Sequence, residues 1–283
     1  MYKKQVKNSD IKTIDGFGDE WERFDQSELS AEEHRQLFEK YFKIFPWDIL
    51  PANSQGFDMG CGSGRWAKLV APRVGTLHCI DPSSAICVAK RNLEAQINCV
   101  FHEAGVGDQV LPEASMDFGY SLGVLHHVPD TSQGVSDCVR MLKPGAPFLL
   151  YLYYALDNRS FAYRSLWKIS DILRRIVSGL PHSLRYIFSQ LIAIFVYLPL
   201  SRFAALMQLL GLSSEKAAAL PLGFYRHLSF YTMRTDALDR FGTPLEQRFT
   251  REQIQIMMES AGLTDIRFSK DSPFWCAVGT RSN

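Results

Sequence analysis

The stretch FDMGCGSGRW, residues 57–66, places Gly60, Gly62 and Gly64 within five residues, directly behind a short apolar run. Glycine inside a strand or helix costs about 0.5–1 kcal/mol against alanine. Three so close together mark a backbone that must turn sharply, or that a ligand must approach without meeting a Cβ. Strand, glycine-rich turn and the helix RWAKLVAP follow one another. That order presents backbone N–H groups and a helix N-terminus to a bound group.

The surrounding chain repeats the same rhythm. GFDM, GTLHCID, INCVF, MDFGYSLG and APFLLYLYY read as five strands, with the helices RWAKLVAP, SSAICVAKRNLEAQ and TSQGVSDCVRML among them. Such alternation predicts an α/β fold with a parallel sheet, helices on both faces and right-handed crossovers. Residues 156–249 interrupt it with helical, apolar sequence divided by Pro181, Pro199, Pro221 and Pro244. This segment holds twelve Lys/Arg against six Asp/Glu, a local balance of +6. The helix TREQIQIMMESAGL and the strands TDIRFSK and PFWCAVGT then resume the pattern. The expected organisation is a core of residues 54–155 and 250–283, a helical cap of residues 156–249 inserted after the fifth strand, and a helical lead-in or lid over residues 1–53. In the lead-in, Ser30 and Glu33 have the spacing of a capping box, and an aromatic stripe through Phe38, Tyr41, Phe42 and Phe45 reads as core. Trp21 and Phe24 suit either a lid or an anchor.

Several functions are disfavoured. A net charge of +1, with the basic excess confined to an apolar insertion, argues against nucleic acid as a partner. The six cysteines make no CxxC pair and no metal-ligand spacing, so free thiols in a reducing, cytoplasmic setting and no metal site are expected. The opening MYKKQVKNSD lacks an apolar signal region. The most hydrophobic segment, YIFSQLIAIFVYLPL at residues 186–200, falls short of the roughly 20 residues that span a bilayer. With Arg174, Arg175, Arg185 and Arg202 around it, it suits a buried cap helix, a contact in a homo-oligomer, or a peripheral membrane surface.

The turn itself separates two cofactor classes. A dinucleotide fingerprint GxGxxG counted from Gly60 needs a third glycine where Arg65 stands. No pyrophosphate is implied. Asp58 before the turn suits a cationic group, and Asp81 at the end of the next strand suits the two hydroxyls of a ribose. Taken in order, FDMGCGSGRW, IDPS, LGVLHHVPD and LKPG resemble the motifs of class I S-adenosylmethionine-dependent methyltransferases, most closely the quinone-biosynthesis branch. The resemblance implies a Rossmann-like seven-stranded sheet and S-adenosylmethionine as cofactor. It further implies that Asp58, Gly60, Cys61, Gly62, Ser63 and Gly64 line the methionine part, with Leu122 and Gly123. Asp81, Pro82 and Ser83 would hold the ribose, and Gly105 and Val106 would flank the adenine. Near Gly105, where the family usually has an acidic residue, the nearest is Asp108.

Transfer of an activated methyl group is an in-line displacement that chiefly needs alignment in a dry site. A base is required only where the acceptor must lose a proton. His126 and His127, after the fourth strand, are candidates for that base or structural residues of the following turn. In the insertion, GFYRHLSFYTMRTDALDRFGTP interleaves aromatic and ionisable groups, among them Tyr225, Arg226, His227, Tyr231, Arg234 and Arg240. Tyr231, His227 and Arg234 are expected to serve a small-molecule acceptor, with an arginine holding a carboxylate or phosphate. A non-catalytic cofactor-binding module and an enzyme acting on the sulfonium itself are the alternatives.

Overall fold

The structure, a computed structural model, describes residues 7–283. The chain divides into two compact units. One comprises the residues up to Gln26, Arg35–Asp157 and Leu245–Asn283, and the other Ser27–His34 and Asn158–Pro244.

The first unit is built on seven strands. These are β1 (Gln55–Met59), β2 (Thr76–Asp81), β3 (Cys99–Glu103), β4 (Phe118–Leu122), β5 (Pro147–Tyr151), β6 (Leu263–Phe268) and β7 (Cys276–Arg281). They lie in the order β3-β2-β1-β4-β5-β7-β6, with β7 antiparallel to both its neighbours and the rest parallel. The helices of this unit are α1 (Ile11–Arg23), the C-terminal part of α2 (Ala31–Tyr41), α3 (Ala67–Val70), α4 (Ala85–Asn92) and α5 (Thr131–Met141), with a late helix, Arg251–Ser260, ahead of β6.

This is the expected Rossmann-like sheet. Because β1 has β2 on one side and β4 on the other, the strand order reverses between β1 and β4. A crevice therefore opens beyond their carboxyl ends. The centre of the sheet is fixed by two reciprocal pairs. Gly56 lies beside Phe118 and Phe57 beside Gly119, and a Cβ on either glycine would come within 2.2 Å of the facing ring. Most of the aromatic stripe becomes core: Phe38, Phe42 and Phe45 are buried and Tyr41 is half-buried, and Phe42 meets the Tyr120 ring at 5.2 Å.

The second unit is helical. It holds α6 (Phe161–Ser178), α7 (His182–Ile192), a π-helical turn (Ala193–Tyr197), α8 (Leu198–Leu209), α9 (Ser214–Ala219) and α10 (Phe230–Gly242); the late helix Arg251–Ser260 of the first unit is then α11. Val177, Ala193, Tyr197, Met233, Ala237 and Phe241 form its apolar centre. Arg174, buried here, donates to Asp171 and to the carbonyls of Thr243 and Pro244, tying α6 to the end of α10.

Two expectations need correction. Pro199 does not divide the insertion. The helix runs without a break from His182 to Leu209, 28 residues, long and apolar enough by length and composition to cross a membrane. A widened π turn directly precedes Pro199, and there the ring's clash with the preceding turn and its missing N–H are tolerated. The capping box at α2 is only half formed. Ser30 Oγ accepts from the Glu33 N–H at 3.2 Å, but the Glu33 carboxylate turns away. It accepts instead from the Ser229 N–H and Oγ and from Thr232 Oγ1, the last at 2.6 Å. An acid beside the N-terminus of α10 meets its unpaired N–H groups and the positive end of its dipole.

Candidate functional site

The glycine turn leaves β1 with Gly60, Gly62 and Gly64 at φ of +79°, +52° and +78°. These values lie in the left-handed region, where a side chain is strained. Space is also short. A Cβ would come within 2.3 Å of Val124 at Gly60, 3.0 Å of the Trp21 indole nitrogen at Gly62 and 2.8 Å of Leu93 at Gly64. The turn is held to β2 by N–H bonds from Gly60 and Cys61 to the Ile80 carbonyl, at 2.8 and 3.0 Å.

Asp81 ends β2 and links this turn to the start of α4. Its Oδ2 accepts from the Gly62 N–H at 2.9 Å, and its Oδ1 from the Ser83 N–H at 2.9 Å and Ser83 Oγ at 2.6 Å. Burial pushes the Asp81 pKa up, and these donors pull it back. Asp58 differs. It is fully buried, and neither carboxylate oxygen has a hydrogen-bond partner among the described residues. Burial drives its pKa well above the usual carboxylate range, against the opposing effect of the Tyr120 side chain, and the Asp81 charge adds to the rise. Burial likewise raises the Cys61 thiol to about 11, so it stays protonated at neutral pH.

Gly123, at φ +78°, has nothing within 4 Å of where a Cβ would stand, and its N–H donates to the Tyr151 carbonyl at 3.0 Å. Leu122 before it is buried. Beyond β3, Gly105 and Val106 are buried and open a short 3₁₀ turn. There the Asp108 carboxylate accepts from the Gly105 N–H at 2.9 Å. Pro82 is half-buried, and Ser63 is buried at the turn. The carboxyl ends of β1, β2 and β4, and the loop after β3, thus carry every residue assigned to the cofactor by the sequence.

The N-terminal segment straps this edge. Asn8 exchanges two hydrogen bonds with the Asp130 backbone, at 2.7 and 2.8 Å. Helix α1, capped by Asp10, then passes three points in turn. The Phe17 ring meets His127 edge-on at 5.0 Å, Gly18 abuts Ser84 closely enough that a Cβ would lie 2.5 Å from its Oγ, and the Trp21 indole covers Gly62. At the far end Asn92 donates to the carbonyls of Asp25 and Ser63, both at 2.8 Å. Trp21 therefore covers the site, whereas Phe24, 2% exposed, is the anchor.

At the carboxyl ends of β4 and β5 lies an aromatic and basic cluster of which His126 and His127 belong to the LGVLHHVPD motif and Tyr153, Glu246 and Arg248 do not. His126 stacks on Tyr153 at 3.9 Å and lies 3.9 Å from the His127 ring. The Arg248 guanidinium lies over Tyr153 at 5.0 Å and pairs with Glu246 at 2.7 Å. Tyr151 meets Tyr41 edge-on at 5.1 Å, and Tyr41 in turn meets Trp66 at 4.7 Å. His127 Nδ1 lies 2.7 Å from the Leu245 carbonyl. A carbonyl only accepts, so Nδ1 carries the proton and Nε2 is the basic nitrogen. His126 is fully buried, with neither ring nitrogen hydrogen-bonded among the described residues. Burial, and then the His127 and Arg248 charges, hold its pKa well below the ordinary value. Arg248 and Glu246 were not signalled by the sequence, because they approach the histidines only where residues 245–249 return beside β4 and β5.

The residues predicted in the insertion are engaged within the helical unit. Arg226 donates to Gln208, Ser214 and the Gly223 carbonyl, and His227 meets Gln208 at 3.2 Å. Arg234 donates to Gln190 Oε1 at 2.6 Å and to the Tyr186 hydroxyl at 3.0 Å. Arg240 donates to Ser170 and lies over the Trp167 ring, Tyr225 packs on Tyr197, and Tyr231 is buried.

The first-unit residues fit S-adenosylmethionine. Glycines 60, 62 and 64 form a cradle that any Cβ would fill. Asp81 keeps acceptor capacity beyond its three donors, and Asp58 is a fully buried acid beside the Tyr120 side chain. No cluster of three or more His, Cys, Asp or Glu suited to a metal occurs among the described residues.

Comparison with known proteins agrees. Residues 57–150 match a methyltransferase-domain family model. Over 113 residues the chain is 35% identical to a ubiquinone biosynthesis O-methyltransferase of Pseudomonas fluorescens, covering 38% of this chain and 47% of that one. Over 93 residues it is 30% identical to a probable S-adenosylmethionine-dependent methyltransferase of Mycolicibacterium smegmatis, covering 33% and 35%. The chain thus spans about half the length, or less, of the curated relatives it matches. In fold it resembles an O-methyltransferase family protein of Burkholderia thailandensis, at TM-score 0.52 and 12% identity over 88% of this chain and 56% of that one. Residues 57–150 therefore carry a methyltransferase domain, and the motifs, the sheet order and these matches support S-adenosylmethionine as its cofactor.

Proposed function

We propose that the protein transfers the methyl group of S-adenosylmethionine to an oxygen atom of a small acceptor that is anionic and partly hydrophobic. The observation that carries this reading is the neighbourhood of the glycine cradle. Within one unit, a cofactor-shaped edge adjoins a histidine whose tautomer leaves Nε2 basic. Bound there, the sulfonium supplies a methyl group already activated for displacement. The protein's part is to align the acceptor, exclude water and take a proton from it. His127 Nε2 is suited to receive the proton of a hydroxyl, while Leu245 holds the ring. His126, kept neutral by burial, packs the ring pair against Tyr153. Similarity to an O-methyltransferase supports the oxygen acceptor.

The anionic character rests on the insertion's +6 balance. Among the described residues, Arg226 donates to Gln208, Ser214 and the Gly223 carbonyl and Arg240 to Ser170, all neutral acceptors. These arginines, with Arg234, His227 and Tyr231, are the proposed acceptor-binding set of a cap spanning residues 156–249.

The test is incubation with methyl-labelled cofactor and a panel of hydroxylated aromatic and lipid-like acids, followed by product masses. Labelled ether product is expected, with His127→Asn lowering turnover while cofactor affinity holds. Arg234→Ala should do the same. Normal cofactor binding with no labelled product from any such acceptor would overturn the proposal in favour of a cofactor-binding module.

A further inference from the structure

Large apolar side chains are exposed unevenly on this protein. Of the 23 exposed large hydrophobic residues among those described, 18 lie between Phe161 and Leu210. Single exposed apolar residues need no explanation, but a contiguous set this dense marks a contact surface.

Two helices of the second unit carry it. On α6, Ile169, Ile172, Leu173 and Ile176 follow helical spacing, and all four are exposed. On the continuous α7–α8 helix, the usual order of sizes is inverted except at Tyr197, which is buried. Small residues, Ser189, Ala193, Ser201 and Ala204, are buried, while Phe188, Phe195 and Phe203 face outward, Phe195 at 71% exposure. A helix meant only for a water-soluble exterior would place the large groups inside.

Charge selects the partner. Between residues 159 and 210 there are seven Lys/Arg and one acidic residue, Asp171. That carboxylate is buried and paired to Arg174 at 2.7 Å and Arg175 at 2.9 Å. Arg164, Lys168 and Arg175 are exposed. At 100° per residue they fall together along one border of the Ile169–Ile176 face. An apolar strip edged by cations, with no exposed acid, is complementary to an anionic lipid surface. A second copy of the same surface would set cation against cation.

We propose that the outward faces of α6 and the α7–α8 helix dock, lying in plane, on a bilayer surface containing anionic lipid. The 28-residue helix is long enough to cross, but its inner side is committed to protein. Gln190 and Tyr186 accept from Arg234 on α10, Arg185 donates to the Gly242 carbonyl, and Arg202 donates to the Arg226 and Leu228 carbonyls. A transmembrane placement would carry these guanidinium groups and α10 into hydrocarbon, which is costly. Lying in the interface wets the inner side and buries only the outer one.

The experiment is flotation of the full chain with vesicles of phosphatidylcholine alone and of equal parts phosphatidylcholine and phosphatidylglycerol. Binding to the anionic vesicles is expected, much weaker to the neutral ones, and falling as salt rises. The charge variant Arg164→Glu/Lys168→Glu should lower partitioning by at least about thirty-fold, two cations' worth of lost attraction to an anionic leaflet before the added repulsion of two carboxylates. The apolar variant Ile172→Ser/Phe195→Ser should abolish flotation. All four sites are exposed, so thermal melting of both variants should match the wild type. Three results would overturn the proposal: no flotation of monodisperse protein with anionic vesicles, a stable dimer dissolved by the apolar variant, or association that resists both high salt and alkaline carbonate, the mark of a spanning helix.

Discussion

Asp81→Asn tests the cofactor site most directly, because the carboxylate has three protein donors and should take two more from ribose hydroxyls. Asparagine keeps one oxygen. Turned toward Ser83, it leaves its NH₂ facing the Gly62 N–H, which is 2.9 Å from Asp81 Oδ2. Two donors then oppose each other, and a buried N–H left unmet costs about 1–3 kcal/mol. The apo protein should melt lower for that reason alone. Hydrogen bonds to a charged acceptor contribute about 1.5–3 kcal/mol, so cofactor affinity should fall roughly ten- to a hundredfold. A loss near 2 kcal/mol is about thirty-fold. S-adenosylhomocysteine, the demethylated cofactor, at about 100 times its dissociation constant stabilises the wild type by about 2.7 kcal/mol. At the same concentration the variant would sit near three times its own constant, leaving only roughly 0.9 kcal/mol. Titration calorimetry gives the affinity, and melting with and without ligand gives the linked stabilisation. A variant that melts like the wild type and binds within about twofold would refute the assignment of Asp81 to the cofactor.

Two further outcomes follow from the same edge of the sheet. Because the Trp21 indole covers Gly62, S-adenosylhomocysteine should change the protein's tryptophan emission, and Trp21→Phe should remove most of that change; equal responses in both proteins would show that α1 does not border the ligand. His126 has a folded pKa depressed by burial, so the unfolded chain takes up a proton near pH 6.5 that the folded one refuses. Stability from this group is complete above that pH and is lost as pH falls below it, by about 1.4 kcal/mol on reaching pH 5.5. Denaturant unfolding should show a slope in the wild type that is smaller by this amount in His126→Leu, because His78 and His102, also depressed by burial, still contribute, and identical slopes would contradict the burial of an uncharged ring.

The sequence determined the parts governed by local rules. Strand, glycine turn and helix were legible because three left-handed φ values demand glycine wherever the chain goes afterward. Asp81 could be placed because it ends a strand next to that turn. Alternating strands and helices led to a parallel sheet because both depend on short-range periodicity and fixed chirality. What depends on distant residues was decided only by the tertiary structure. Glu33 reads as its own helix's cap, yet it serves Ser229 and Thr232, 196 and 199 residues away. Pro199 reads as a breaker, but a π turn carries the helix past it. Arg248, Glu246 and Tyr153 gather beside His126 and His127 although no spacing announces them, since their meeting depends on how the chain returns after the insertion. Which side of the α7–α8 helix faces outward was likewise undecidable from composition. Large and small apolar residues both read as hydrophobic, and only packing against α10 shows that Ala193, Ala204 and Tyr197 are buried while Phe188, Phe195 and Phe203 are not.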